Sequence, residues 1–187
     1  MNVSANKLAK LDEIEYPVIT WEDNDDSSAI HVYNSATNSR ELHEHEKRSL
    51  SDLLVFYGNY FANKDIQELA LAGDRFTYPF RQVFSDNFDL SYFEDQLQEF
   101  LAAFSADPTL SVKLREELKQ FFQNDLAASL TEAIFESIAE KIVRYSLELK
   151  SATIVSIGNL NFNERFRSVL QESAGEFGLD VRFIDDW

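Results

Sequence analysis

The chain has 187 residues, 44% hydrophobic and 27% charged, and its 33 acidic against 17 basic side chains give a formal charge of −16. That composition is globular rather than disordered, and no apolar run approaches the ~18 residues of a helical membrane span. With no cysteine, disulfides, thiolate zinc sites and thiol catalysis are excluded together.

From the amino end, the first dozen residues read as a short polar helix or arm. They lack the apolar core of a signal peptide, so an uncleaved, cytoplasmic chain is expected. Tyr16 to Trp21 is β-branched and aromatic, and Pro17 confines it to a strand start or an edge. The Asx-rich stretch Asp23 to Ser28 predicts a turn, and Ala29 to Tyr33 the returning strand of a hairpin.

From Ser39 the composition turns helical. Ser49 to Asp52 offers an N-cap before Leu53, Leu54, Phe56, Tyr57, Tyr60 and Phe61. Asp65 with Glu68 starts a second helix that Gly73 ends. Residues 74–88 are aromatic and follow neither period, which predicts a packed loop or short helix. Ser91 to Glu94 is a capping box, and Phe93, Leu97, Phe100, Leu101 and Phe104 form a single helical stripe behind it. Asp107-Pro108 reads as a cap with proline at the first helical position, ahead of Leu114, Leu118, Phe121 and Phe122 as core residues. A further helix is expected from about Asp125 to 149, giving antiparallel helices joined by short loops.

The tail changes period again. Thr153 to Ile157 is a β-branched run ended by Gly158, and Asn161 with Glu164 caps a helix whose buried face carries Phe162, Phe166, Val169 and Leu170. Gly175 and Gly178 end that helix, and Leu179 to Ile184 alternates as a strand. This strand, helix, strand unit has the length of a parallel crossover, and its two strands need the hairpin or another chain to pair with. The expected fold is therefore α+β. A helical bundle over 39–150 carries a small sheet from the N-terminal hairpin (1–38) and the C-terminal unit (151–187), all in one domain spanning 1–187.

Asp23, Asp25 and Ser27 resemble the start of a calcium loop, but Ser28 stands where glycine is required and Asn34 where a bidentate glutamate closes the shell. His43 and His45 among Glu41, Glu44 and Glu46 would share a face on a strand and hold a metal, whereas on a helix a spacing of two separates them by about 200°. A site using His31 as well needs the fold to bring distant segments together. Gly158, Asn159 and Asn161 open a helix after a strand, a place where backbone N–H groups hold a phosphate, but the glycine companions of the known motifs are missing. Glu148-Leu149-Lys150 matches the tail of a nuclease signature without the upstream strand and aspartate. No nucleophile elbow occurs.

Charge and aromatic content set the functional expectation. Twelve of the sixteen excess negative charges fall in residues 1–110, an acidic front that repels polyphosphate and anionic lipid. Sixteen phenylalanines are mostly core, with Tyr78, Phe80 and Phe84 as candidates for the apolar centre of a protein interface and Asp23, Asp25 and Asp26 as part of its acidic rim. The leading expectation is a non-enzymatic, cofactor-free binding protein of inhibitor, immunity or accessory type that masks a basic surface on a partner protein. It would be a complex subunit or homo-oligomer, with no nucleic acid or membrane as direct partner. The alternatives are a ligand-binding protein or enzyme with its site near Gly158, using acids such as Glu164 or Asp185, and a DNA-mimic inhibitor.

Overall fold

A computed structural model describes residues 17–23, 28–34, 39–46, 50–81, 90 and 92–184. The expected arm at the amino end, and Asp25, Asp26, Phe84 and Asp185, lie outside the described residues. The described chain forms two compact units, one from Met1–Ser51 with Phe135–Trp187 and the other from Asp52–Ile134. Among the described residues no helix is long and apolar enough to cross a membrane.

The first unit is built on a five-stranded sheet. Its strands are β1 (Val18–Asp23), β2 (Ser28–Asn34), β3 (Ser39–Glu46), β4 (Thr153–Gly158) and β5 (Asp180–Ile184), in the spatial order β3-β2-β1-β4-β5. β1, β2 and β3 pair antiparallel, whereas β4 runs parallel to β1 and β5 parallel to β4. Pro17 precedes β1, where its missing N–H removes no ladder bond. This joins the hairpin and the C-terminal unit in one small sheet, the α+β arrangement that their periodicity predicts.

β1 is buried along its whole length because it is the central strand, covered on both faces. The pairing registers put Val18, Tyr33, Val155 and Ile157 on one face, where they form an apolar cluster with Ile184 against it. The opposite face carries Ile19, Trp21 and Ile154. The helix α5 (Glu164–Gly175) packs at Phe183 of β5, where the Arg167 guanidinium lies 4.4 Å from the ring centroid.

The helices before it are α1 (Leu50–Gly58), α2 (Ile66–Leu71), α3 (Phe93–Ala106) and α4 (Val112–Glu148). Asp65 caps α2 as its sequence predicts, its Oδ1 accepting from the Gln67 N–H at 2.8 Å. In the second unit Phe104 stacks on Phe122 at 3.9 Å, and Tyr57 donates its hydroxyl to the Leu90 carbonyl at 2.7 Å. Gly73 is required by contact: a Cβ there would stand 2.1 Å from the Asn124 carbonyl oxygen.

Three expectations are corrected. Ser39–Glu46 is a strand rather than the start of a helix, because it pairs with β2 along its length. The helices expected on either side of Asp125 are the single helix α4. Asp107 instead closes a turn by accepting from Thr109, and Ser111 accepts from the Leu114 N–H. Continuity turns Leu114, Leu118 and Phe121 outward, Phe121 being 69% exposed, and leaves Phe122 inside. Finally, α5 is capped by Asn163, whose Oδ1 accepts from the Phe166 N–H at 3.0 Å, while Asn161 sits in the preceding 3-10 turn, Asn159–Phe162. Phe162 is accordingly 72% exposed.

Candidate functional site at the strand ends

Between β1 and β4 the strand order reverses, since the chain leaves β1 toward β2 on one side and returns as β4 on the other. The carboxyl ends of parallel strands at such a switch point are where open sheets with helical crossovers bind ligands. The end residues here are Asp23 and Gly158, which are register partners. The sequence suggested each for a separate role, Asp23 in a metal loop and Gly158 in a phosphate turn, and the fold brings them together.

Both are shaped by the backbone around them. Gly158 has φ +113° and ψ −165°, a conformation essentially reserved for glycine. A Cβ at this position would lie 1.9 Å from the Asp23 carbonyl oxygen. The Asp23 carboxylate is buried and ties three segments together. Its Oδ1 accepts from the Ser28 hydroxyl at 2.5 Å and from the Leu50 N–H, the first residue of α1, at 3.1 Å. Ser28 Oγ also accepts from that N–H at 2.9 Å. A helix N-terminus thus rests on a carboxylate, which satisfies an orphan donor and complements the helix dipole.

Asn161 is the second anchor. Its Nδ2 donates to the Ser156 carbonyl at 2.8 Å and to the Ile184 carbonyl at 2.9 Å, and its Oδ1 accepts from Ser156 Oγ at 2.7 Å. The amide therefore clamps the turn after β4 to β5. Asn161→Ala leaves these buried carbonyls and the Ser156 hydroxyl without that partner. It is expected to lower unfolding stability by about 2 kcal/mol in urea titrations, on the usual cost of unsatisfied buried polar groups. Asn159 is exposed at the start of the same turn, and Glu164 is exposed in the first turn of α5.

One polar group was not foreseen. Thr20 and Glu22 alternate onto the same face of β1, and the register sets His31 opposite Thr20. Thr20 Oγ1 donates to Glu22 Oε1 at 3.2 Å, and His31 Nδ1 lies 3.3 Å from the same oxygen. Glu22 is 1% exposed and His31 14%. The signal was present in the period-two alternation of Thr20 and Glu22, but only the hairpin register adds His31.

The remaining candidates are placed as follows. His43 and His45 are on β3, the edge strand, not on a helix. Phe80 is buried, with ring centroids 6.0 Å from Phe93 and 5.1 Å from Phe100, and half-buried Tyr78 packs against Phe100 and Phe122 at 5.3 and 5.5 Å. These rings serve the interior of the second unit. Burial, with the Asp125 carboxylate adding to it, raises the Tyr78 pKa above its usual value. Glu148 ends α4 and Lys150 follows with φ 54°, so that tripeptide closes a helix. Among the described residues no group of three or more histidine, aspartate or glutamate side chains is placed to hold a metal ion.

No protein-family profile matches the chain. Three curated proteins do, each named tRNA N6-adenosine threonylcarbamoyltransferase. The protein of Pediococcus pentosaceus is 31% identical over 126 residues, covering 67% of this chain and 34% of the relative. That of Chlamydia pneumoniae is 31% identical over 112 residues, covering 60% and 32%. That of Lactobacillus acidophilus is 26% identical over 167 residues, covering 86% and 46%. The chain thus spans 32% to 46% of the length of the relatives it matches. Their shared name overturns the expectation of an inhibitor or immunity-type binding protein: the likeness is to a transferase acting on tRNA.

Proposed function

We propose that this chain is a component of the machinery that transfers a threonylcarbamoyl group to N6 of adenosine in tRNA. The observation that carries the reading is the likeness to three proteins of that name from different bacteria, extending in one case over 86% of the chain. The sheet is compatible with it, since the switch point between Asp23 and Gly158 is where a ligand site of such a fold belongs.

In this reading the chain works as a subunit. Its charge of −16 disfavours direct contact with an RNA backbone, whose binding depends on cationic side chains displacing counterions. Contact with tRNA then falls to another chain, and the acidic residues of this one face a protein partner with a basic surface. Affinity purification of the tagged full chain from its source cells, followed by assay of the eluate for incorporation of labelled threonine into tRNA lacking the modification, tests the proposal. Incorporation well above an untagged control is expected, and an eluate with no such activity contradicts it.

A further inference from the structure

We infer that β5 is a self-association edge: two copies of this chain pair antiparallel along Asp180–Ile184, about a two-fold axis at Val181, and so join their sheets into one. The inference does not rest on the reading above. It starts from the position of β5, which pairs with β4 and ends the sheet, with no strand beyond it among the described residues. Such an edge presents a row of N–H and C=O groups that templates a further strand, and natural sheets blunt it with proline, lysine or a bulge. β5 carries neither proline nor lysine, and its register with β4 runs without a break from Asp180 to Ile184.

The ladder fixes which groups face outward. The Asp180 N–H donates to the Ala152 carbonyl at 2.9 Å, on the β4 side. The Ile184 carbonyl accepts from Nδ2 of Asn161, in the turn after β4, at 2.9 Å. Within a strand the N–H and C=O of one residue point the same way, and the direction alternates from residue to residue. Asp180, Arg182 and Ile184 therefore face β4, while Val181 and Phe183 turn their backbone groups to the open edge. The side chains of Asp180 and Arg182, two residues apart, share one face of the sheet, with Arg182 Nε 2.8 Å from Asp180 Oδ2.

These positions select both the occupant and the register. With the axis at Val181, that residue exchanges both backbone bonds with the partner's Val181, whose β-branched side chain covers its half-exposed own. Asp180 then stands opposite the partner's Arg182, and Arg182 opposite the partner's Asp180. Both are non-hydrogen-bonded pairs, the closer kind, with Cα atoms about 4.5 Å apart. Opposite charges in such pairs attract and like charges repel. An axis at Arg182 sets arginine against arginine, and one at Phe183 sets Arg182 against isoleucine. Opposite charges two residues apart thus make the strand complementary to itself run backwards, which singles out a second copy. From Asp180 to Ile184 the formal charges cancel, so the pairing strand itself adds nothing to the repulsion between two chains of charge −16.

One short strand pair buries less than a standard interface, so the dimer is a reversible one with a Kd of about 10–100 μM. The test is sedimentation equilibrium of the full chain from about 1 to 500 μM, a range spanning that Kd. The average mass is expected to rise with concentration toward twice that of one chain. Val181→Pro removes an N–H that faces the open edge and takes no bond from β4, so the variant is expected to keep the wild-type circular dichroism while its Kd rises about 10-fold or more. Arg182→Asp puts like charges opposite each other in both pairs and is expected to weaken the dimer about 10-fold, and adding Asp180→Arg to it restores the Kd to within about threefold. A chain that stays monomeric throughout overturns the proposal, as does a dimer that Val181→Pro and Arg182→Asp leave unchanged. Should Val181→Pro fail to fold, the charge reversal and the doubly exchanged variant decide it, and no recovery in the latter overturns it.

Discussion

Replacing Gly158 with alanine is expected to destabilise the protein by about 4 kcal/mol, one of the largest effects available from a single methyl group. Two costs combine. The backbone at φ +113° and ψ −165° is a region that side chains with a Cβ rarely enter, at about 2 kcal/mol. The new Cβ would also stand 1.9 Å from the Asp23 carbonyl oxygen and 2.7 Å from its carbon. Those are backbone atoms of the central strand, so relief requires shifting β4 away from β1, for about 2 kcal/mol more by analogy with overpacked cores. Gly175→Ala is the control: a Cβ there meets no heavy atom within 4 Å, and its change is expected to stay within about 0.5 kcal/mol. Chemical denaturation of both variants checks the pair. A Gly158→Ala protein as stable as wild type would show that the β1–β4 junction is not closed as described.

The second large effect is at Phe166. Its ring is fully buried and meets that of Phe135, also fully buried, edge-to-face at a centroid separation of 5.5 Å. The contact fastens α5 to the carboxyl half of α4 within the sheet-bearing unit. Phe166→Ala removes the aromatic burial, opens a cavity and loses the ring pair, for a cost of about 4 kcal/mol. Phe162→Ala, four residues earlier at an exposed position, is expected to cost less than about 0.5 kcal/mol. The contrast is sharp because simple i, i+4 periodicity groups the two together. Equal destabilisation by both would mean that α5 begins where Asn161, rather than Asn163, caps it.

How much of this was legible without coordinates depends on whether the deciding force was local. The hairpin is written in β-branched residues around an Asx turn, and the tail in a β-branched run, a glycine and a second alternation. Those segments form strands in the structure. The third strand is different. Its residues, Ser39–Glu46, are charged and histidine-rich, with no strong β preference, and pairing with β2 makes them extended. Likewise Asn124 and Asp125 look like a helix start, but Asp125 Oδ1 accepts from the Asp74 N–H at 2.9 Å. A residue suited to capping its own helix holds a distant segment instead, and α4 runs through it.

The site was legible in pieces. Asp23, Gly158 and Asn161 are all at the strand ends, but their adjacency comes from a parallel pairing between segments more than a hundred residues apart. Glu22 is a single glutamate in a hydrophobic strand, and it acquires meaning only beside His31. The likeness to the transferases is not written in any motif: it is spread over 112 to 167 residues, which no local spacing expresses. A charge of −16 disfavours direct contact with an RNA backbone, and by itself it does not mark an inhibitor.

The proposed role in threonylcarbamoyl transfer is tested most directly by the nucleoside content of tRNA in cells lacking this chain. Total tRNA from a deletion strain and from the same strain carrying the wild-type gene is digested and analysed by liquid chromatography and mass spectrometry. N6-threonylcarbamoyladenosine is expected to fall at least severalfold in the deletion and to return on complementation. An unchanged level in the deletion strain would contradict it.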